Sequence, residues 1–395
     1  MRSVSRAAVA LSVALPIAVA IAPAADAQEI VRLRGAPHAL DRFEAALSAR
    51  RARVWVYGAS HTAPDAFTGQ LRARLQRRFG DGGPGWVLPA PPFAFYDHAR
   101  VRIAGDGWSG RAVRFRERAR DDYGPAGIAI ETRELAHARV DARSAADRFD
   151  RVRLHYLRQP NGGELTLRVG SEERRVTTEG ARGPGVVELT LSRPAETLTL
   201  VARGRVRVFG VQLERGTHGV VLDAFGVPGA RFVDQEPWTE NGALRAELEA
   251  RPPDLIAFAY GTNESAQARV PIATYRTQVR RGLARWRRLA PNAECLLIGP
   301  GEWPLERGGV WVPRPRTAQI IDVQRGEASR AGCAFFDTYA MMGGEGSMRR
   351  WVADGLAALD HVHFTGPGYA RMGDALYRAL VPDPGPEDGS RPPIE

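Results

Sequence analysis

The sequence predicts an α/β fold: a doubly wound parallel sheet covered by helices on both faces, with a β-sandwich inserted into it. Three observations carry this. Towards both ends of the 395-residue chain, short apolar runs alternate with amphipathic helical patterns, as they do where a parallel sheet is built. The middle of the chain shows short runs of alternating polarity between turn-rich pieces, the spacing of a sandwich. The first pattern then resumes, so the middle reads as an insertion. Hydrophobic residues make up 44% and charged residues 25% of the chain, a globular composition.

Residues 1–27 differ from the rest. Arg2 and Arg6 precede an apolar run over 7–22, broken by Pro16, and Ala25-Asp26-Ala27 offers a small-residue cleavage site. The segment predicts a cleavable secretory signal. It is short for a membrane span, and no later segment is apolar enough to be one, so no stable membrane insertion is expected after cleavage.

The first α/β part covers 28–97. Leu40, Phe43 and Leu47 share one face of a helix over 38–50, and "RVWVYG" is a short strand. A small-residue turn with Ser60 follows. Phe67, Leu71, Leu75 and Phe79 then recur every four residues, an amphipathic helix that "GDGGPGW" ends. Ser60 thus lies between the C-terminal end of a strand and a helix, where sites form in open α/β sheets.

The insertion covers 98–216. "VRLHYL", "GELTLRVG", "GVVELTLS", "ETLTLVA" and "VRVFGVQLE" are its strand signals. Val152, Leu154 and Tyr156 alternate with polar positions, as do Leu165, Leu167 and Val169.

The second α/β part covers 217–382. "GVVLDAFGVPGA" is a strand ending in glycines, followed by a short helix around Leu244 and Leu248 and the strand "DLIAFAYGTNES". A long helix from Pro271 carries Tyr275, Val279, Leu283 and Trp286 on one stripe. Then come "CLLIGPG", a loop, a helix over 317–331, "CAFFDTYAMM" and "DHVHFTGPGYARMGDALYRAL". Thr365 is a candidate N-cap with Pro367 in the first turn. Residues 383–395, rich in Pro and Asp, have nothing to bury and predict disorder.

The net charge is +10, and every one of the 55 basic residues is Arg. In an exported chain this suits anionic envelope polymers rather than nucleic acid. The two cysteines, Cys295 and Cys333, are too few for a disulfide scaffold or a cysteine metal cluster. They open two candidate neighbouring strands, and either a disulfide or two buried thiols fits.

The chemistry gathers at strand ends. A serine becomes a nucleophile when a base takes its proton, and that base is usually a histidine oriented by a carboxylate. In "DHVH", Asp360 and His363 stand three residues apart on one loop. His361 is a second candidate base, but Asp360 beside it in sequence is poorly placed to orient it. Acyl transfer also needs donors for the oxyanion. The candidates are the backbone N–H of Ser60, the backbone N–H of Gly229 in "GVPGA" and the side-chain amide of Asn263 in "YGTNES". Alone, each is an ordinary turn residue; the ordered set after successive apolar strands is what points to a site.

"GASHT", "GVPGA", "GTNE" and "DHVHFT" stand in the order of the four blocks of SGNH (GDSL-like) hydrolases, which the chain resembles over roughly 30–97 and 217–382. "SHTAPDAFTGQLRARLQRRFGDGGPGW" and the placement of the insertion are most similar to periplasmic peptidoglycan O-acetylesterases. The resemblance implies a flavodoxin-like sheet, a carbohydrate-binding-module-like insertion, no cofactor or metal, and a periplasmic location. It implies a serine esterase removing O-acetyl groups from a glycan, with Ser60 as nucleophile, His363 as base and Asp360 orienting it. Ser60, Gly229 and Asn263 would form the oxyanion hole. The same residues would serve a glycan O-acetyltransferase. Ala59 departs from the Asp the family usually has before its serine, which keeps a non-catalytic glycan binder open; the Asp after Asn is Glu264 here. No long apolar lid is evident around the four blocks, so a short acyl group is expected.

Overall fold

The computed structural model describes residues 32–113, 122–236, 238 and 242–381. The expected signal segment, 1–27, and tail, 383–395, lie outside these residues. No helix among the described residues is long and apolar enough to cross a membrane.

The central sheet has six strands, ordered Arg34–Gly35, Ala334–Phe336, Glu294–Ile298, Leu255–Ala259, Arg53–Gly58, Val221–Gly226. The short first strand pairs antiparallel at the edge, and all other neighbours are parallel. Without that edge strand this is the flavodoxin-like order, with its switch point beside Arg53–Gly58.

Burial on both faces explains the near-continuous apolar runs. Val54 and Val56 point to one layer, with Phe67, Leu71 and Leu376 of the helices Ala66–Phe79 and Gly366–Leu380. Trp55 and Tyr57 point to the other, against Leu244, Tyr275, Val279 and Ile320 of three further helices. Burial of apolar surface in these two layers, worth roughly 25 cal/mol per Å², is the main favourable term that holds the sheet to its helices.

The insertion is two facing antiparallel sheets. One runs from Glu172–Thr177 through Glu164–Val169, Thr197–Arg203 and Ala136–Ala142 to Val101–Asp106; the other runs from Gly183–Ala195 through Phe149–Arg158, Val206–Glu214 and Ile128–Thr132 to Ser109–Ala112. Leu165, Leu167, Leu198 and Leu200 meet Val152, Leu154, Val208 and Val211 in the core between them. The strand Gly85–Val87 pairs with Val206–Glu214, so the chain enters and leaves the sandwich side by side.

The second sheet is also covered on its outer side, where Arg153 and His155 meet Glu247 of the helix Gly242–Ala250. In the same buried seam Glu214 accepts from Arg53 at 2.8 Å and pairs with Arg251. Asp223 accepts the Trp86 backbone N–H at 2.8 Å and the Gln212 amide at 3.2 Å.

Several elements gave no strong signal. Half of the sandwich strands, such as Ile128–Thr132, are short. "CAFFDTYAMM" leaves the strand at Phe336, and the Asp337 carboxylate accepts the Ala340 N–H at 3.0 Å to cap a short helix, Thr338–Met342. The expected loop after "CLLIGPG" carries a hairpin, Leu305–Arg307 with Val310–Val312. Of the two states open to the cysteines, the structure has the disulfide Cys295–Cys333, across neighbouring parallel strands.

Candidate active site

Ser60 sits two residues past the strand Arg53–Gly58, in a turn closed by the Ala59 carbonyl, which accepts the Thr62 N–H at 3.1 Å and the Ala63 N–H at 3.0 Å. Gly58 is level with Gly226 on one side and Ala259 on the other, so the loops that follow those two strands flank Ser60. The turn crosses Gly226 so closely that a Cβ there would lie 2.2 Å from the Ala63 nitrogen, which only glycine permits.

Asp360, His363 and Ser60 form one hydrogen-bonded line. His363 Nε2 is 2.9 Å from Ser60 Oγ, and His363 Nδ1 is 2.7 Å from Asp360 Oδ2. The other Asp360 oxygen accepts the Val362 and His363 backbone N–H groups at 2.9 and 3.0 Å. Burial alone would raise the Asp360 carboxyl. The hydrogen bonds from the His363 ring and from those two backbone groups outweigh it and hold Asp360 below its ordinary range. Asp360 therefore faces the Nδ1 side of the imidazole as a carboxylate, leaving Nε2 to the serine. His361 is not part of this line; its ring lies against Trp311 instead.

The two side-loop candidates also meet. Gly229 occupies the turn after Val221–Gly226 with φ +73°, the left-handed region. Asn263 is the second residue of the short helix Thr262–Ser265 after Leu255–Ala259, and its Nδ2 donates to the carbonyl of Ala230, next to Gly229, at 2.9 Å. That bond uses one amide hydrogen and leaves the second. Glu264 fixes the two loops to one another: its buried carboxylate accepts the Phe232 N–H at 2.8 Å and the Gly261 N–H at 3.0 Å.

Residues 189–371 match the GDSL-like lipase/acylhydrolase family. That stretch holds Gly229, Asn263, Asp360 and His363, while Ser60 precedes it. A solved structure of a peptidoglycan O-acetylesterase is similar over 87% of this chain and 95% of its own, at 27% identity and a TM-score of 0.73. Fainter likenesses reach a catalytic mutant of an acetylxylan esterase from Geobacillus stearothermophilus (19% identity, 41% of this chain and 73% of that one, TM-score 0.32). A family two carbohydrate esterase from Cellvibrio japonicus is likewise faint (10% identity, 71% and 97%, TM-score 0.30). At those scores neither carries an argument. No curated protein matches the chain in sequence.

The site has supports that residue spacing did not announce. Asp65 sits left-handed, φ +53°, at the start of the helix after Ser60. Its carboxylate accepts from Thr68 Oγ1 at 2.6 Å, from Arg72 at 2.7 and 3.0 Å, and from the Ala99 N–H at 3.0 Å. Arg72, fully buried, also donates to the Leu222 carbonyl at 2.9 Å and so ties the serine turn to the strand that leads to Gly229. Burial would raise the Asp65 carboxyl, but the charges of Arg72 and His98 and the Arg72 and Thr68 hydrogen bonds hold it well below the ordinary range. The seven-residue spacing of Asp65 and Arg72, two helical turns, was the available signal.

His61 follows Ser60, shares a 3.0 Å hydrogen bond through Nδ1 with the Tyr369 hydroxyl, and has its ring centroid 5.1 Å from that of His363. Burial, then the neighbouring His363, lowers its pKa to about 3. His61 thus stays neutral beside any charge that forms on His363.

Proposed function

We propose that this chain is an exported carbohydrate esterase that removes O-acetyl groups from an envelope polysaccharide, with peptidoglycan as the substrate. The observation that carries the reading is the continuous line from Asp360 through His363 to Ser60, set beside paired donor loops in a GDSL-like fold. The similarity to a peptidoglycan O-acetylesterase over 87% of the chain, insertion included, supports the glycan class. The Cys295–Cys333 bridge supports an oxidising compartment, the periplasm.

In the proposed mechanism, Ser60 Oγ attacks the acetyl carbonyl while its proton passes to His363 Nε2. The imidazolium is stabilised by Asp360 at Nδ1. The backbone N–H groups of Ser60 and Gly229 and the second amide hydrogen of Asn263 receive the oxyanion. The ester C–O bond then breaks, and Nε2–H returns the proton to the departing sugar oxygen. Water attacks the acetyl group on Ser60 Oγ, giving its proton to His363. Acetate leaves as Ser60 takes that proton back.

His61 and Phe364, which follow Ser60 and His363, line a partly open hollow together with Tyr260, Gly301 and Met372. A short acyl group is the expected substrate, since no long apolar channel opens beside Ser60 among the lining residues of this hollow. The test is acetate release from O-acetylated peptidoglycan by the purified mature protein. Turnover lost in Ser60→Ala is the expected result; no release by the wild type removes the reading. Among acetyl, butyryl and octanoyl esters, a preference for octanoyl removes the small-acyl assignment.

A further inference from the structure

The hairpin after the Glu294–Ile298 strand has no part in the mechanism above, yet it reaches the Asp360–His363 turn. Its two strands, Leu305–Arg307 and Val310–Val312, are joined by Gly308 and Gly309, both with positive φ, the tight turn that suits a two-residue hairpin. The base is fixed. Glu302, buried, accepts the Gly346 and Met348 backbone N–H groups at 2.7 and 2.6 Å. Arg314 lies over the Trp303 ring at 4.1 Å and donates to the Trp303 carbonyl at 3.1 Å. A hairpin held at both feet projects Trp311 in a defined direction.

The Trp311 ring meets the His361 ring with centroids 4.0 Å apart and planes at 37°. His361 is the link between Asp360 and His363, and its backbone is left-handed, φ +56°. A non-glycine residue stays in that region only where its surroundings hold it there. The conformation matters, because it turns the Val362 and His363 N–H groups back onto one Asp360 oxygen and leaves the other for His363 Nδ1. No hydrogen bond grips the His361 ring at Nδ1, which is buried and without a partner among the described residues. The backbone here is tied by the His361 N–H to the Ala358 carbonyl at 3.1 Å and by the Ala358 N–H to the His363 carbonyl at 2.8 Å, and the His361 ring is packed against Trp311.

We propose that Trp311, through its stack on His361, is a positioning residue that holds the Asp360–His363 turn in register with Ser60. The inference rests on the esterase reading for its kinetic consequence, but the geometry it asserts is separate from turnover. An imidazole held loosely samples poses in which Nε2 does not meet Ser60, and such losses appear in kcat when the bound substrate is unaffected.

The experiment compares Trp311→Ala, Trp311→Phe, His361→Ala and the Trp311→Ala/His361→Ala double variant on a soluble acetyl ester. The proton NMR signal of His363 Nδ1–H, shifted downfield by its bond to Asp360, is recorded for each. Trp311→Ala should lower kcat about ten-fold, since a modest misplacement costs that much, with KM little changed and the Nδ1–H signal broadened. Trp311→Phe, which keeps a ring, should recover most of the rate. The double variant should be no worse than the poorer single, because both remove one contact. Additive losses, a raised KM at constant kcat, or an unchanged kcat with a sharp signal would each overturn the proposal. Should Trp311→Ala not fold, Trp311→Leu fills the position without a ring and is read in the same way. If the wild type turns over no ester, the esterase reading fails, and the NMR comparison alone decides this one.

Discussion

The carboxylate of Glu264 accepts the backbone N–H of Phe232 at 2.8 Å, across two loops that leave different strands. Its second oxygen takes the Gly261 N–H at 3.0 Å, so one buried side chain satisfies a donor in each loop. Glu264→Ala leaves both donors buried and unpaired, at about 1–3 kcal/mol apiece. A loss of roughly 2–6 kcal/mol in urea denaturation is expected. A fall in kcat should accompany it, because Gly229 and Asn263 lose their common anchor. Stability falling with kcat intact would show that the two loops hold their geometry independently.

Asp360→Asn tests the orientation of His363. An amide can present its N–H to Nδ1 and so favour the tautomer with the proton on Nε2, the wrong side for accepting from Ser60. By that mechanism ester hydrolysis should drop by roughly 10³-fold or more at neutral pH, while thermal stability barely moves, since Asp360 is half exposed. Steady-state rates beside a melting curve separate the two effects.

Ala59→Asp asks whether the usual family residue was lost at a cost. Ala59 is buried, and its carbonyl already closes the turn through Thr62 and Ala63. An added carboxylate acceptor is therefore expected to raise kcat by no more than about ten-fold, the equivalent of ~1.4 kcal/mol in the barrier, with KM little altered. A lowered kcat would mean that a carboxylate cannot be accommodated in that apolar surround.

The seam between sheet and sandwich should make stability pH-dependent. Burial, opposed by Arg53, raises Asp223 to about 6, and burial, opposed by Arg153, raises Glu247 to about 7. The folded chain therefore keeps protons there that the unfolded chain releases near pH 4. This contribution is full below that pH and is lost as pH climbs through 6 to 7. Asp223→Asn keeps an acceptor for the Trp86 N–H but cannot ionise. Its stability relative to wild type should improve between pH 5 and pH 8, by about 1.4 kcal/mol. Urea midpoints at the two pH values provide the measure; a gap that shrinks with pH contradicts the assignment.

Much of this was legible in the residues, and the illegible part has a physical reason. "RVWVYG" and "DLIAFAYGTNES" show as strands because burial on both faces demands unbroken apolar runs. Asp360 and His363 were readable as a pair because three residues on one loop fix their separation. Ser60 lies some 300 residues away, and only the strand order of the sheet brings it to them. Glu264 was legible as the residue after Asn263, but its bond to Phe232 was not, nor was the role of Arg72, since nothing local tells that a backbone from another loop will close over them. Trp311 gave no signal at all: its partner, His361, is set by a hairpin whose strands are three residues each.

The side-by-side strands through which the chain enters and leaves the sandwich make a junction at which a whole unit could be removed without redrawing the topology of the central sheet. The charged seam works against such a removal. Excising the unit would strip Arg53 of Glu214 and Glu247 of Arg153, leaving ions that were neutralised across the graft line. The sandwich is therefore electrostatically wired into the sheet that carries Ser60, and the two would have to be separated together with their counter-charges.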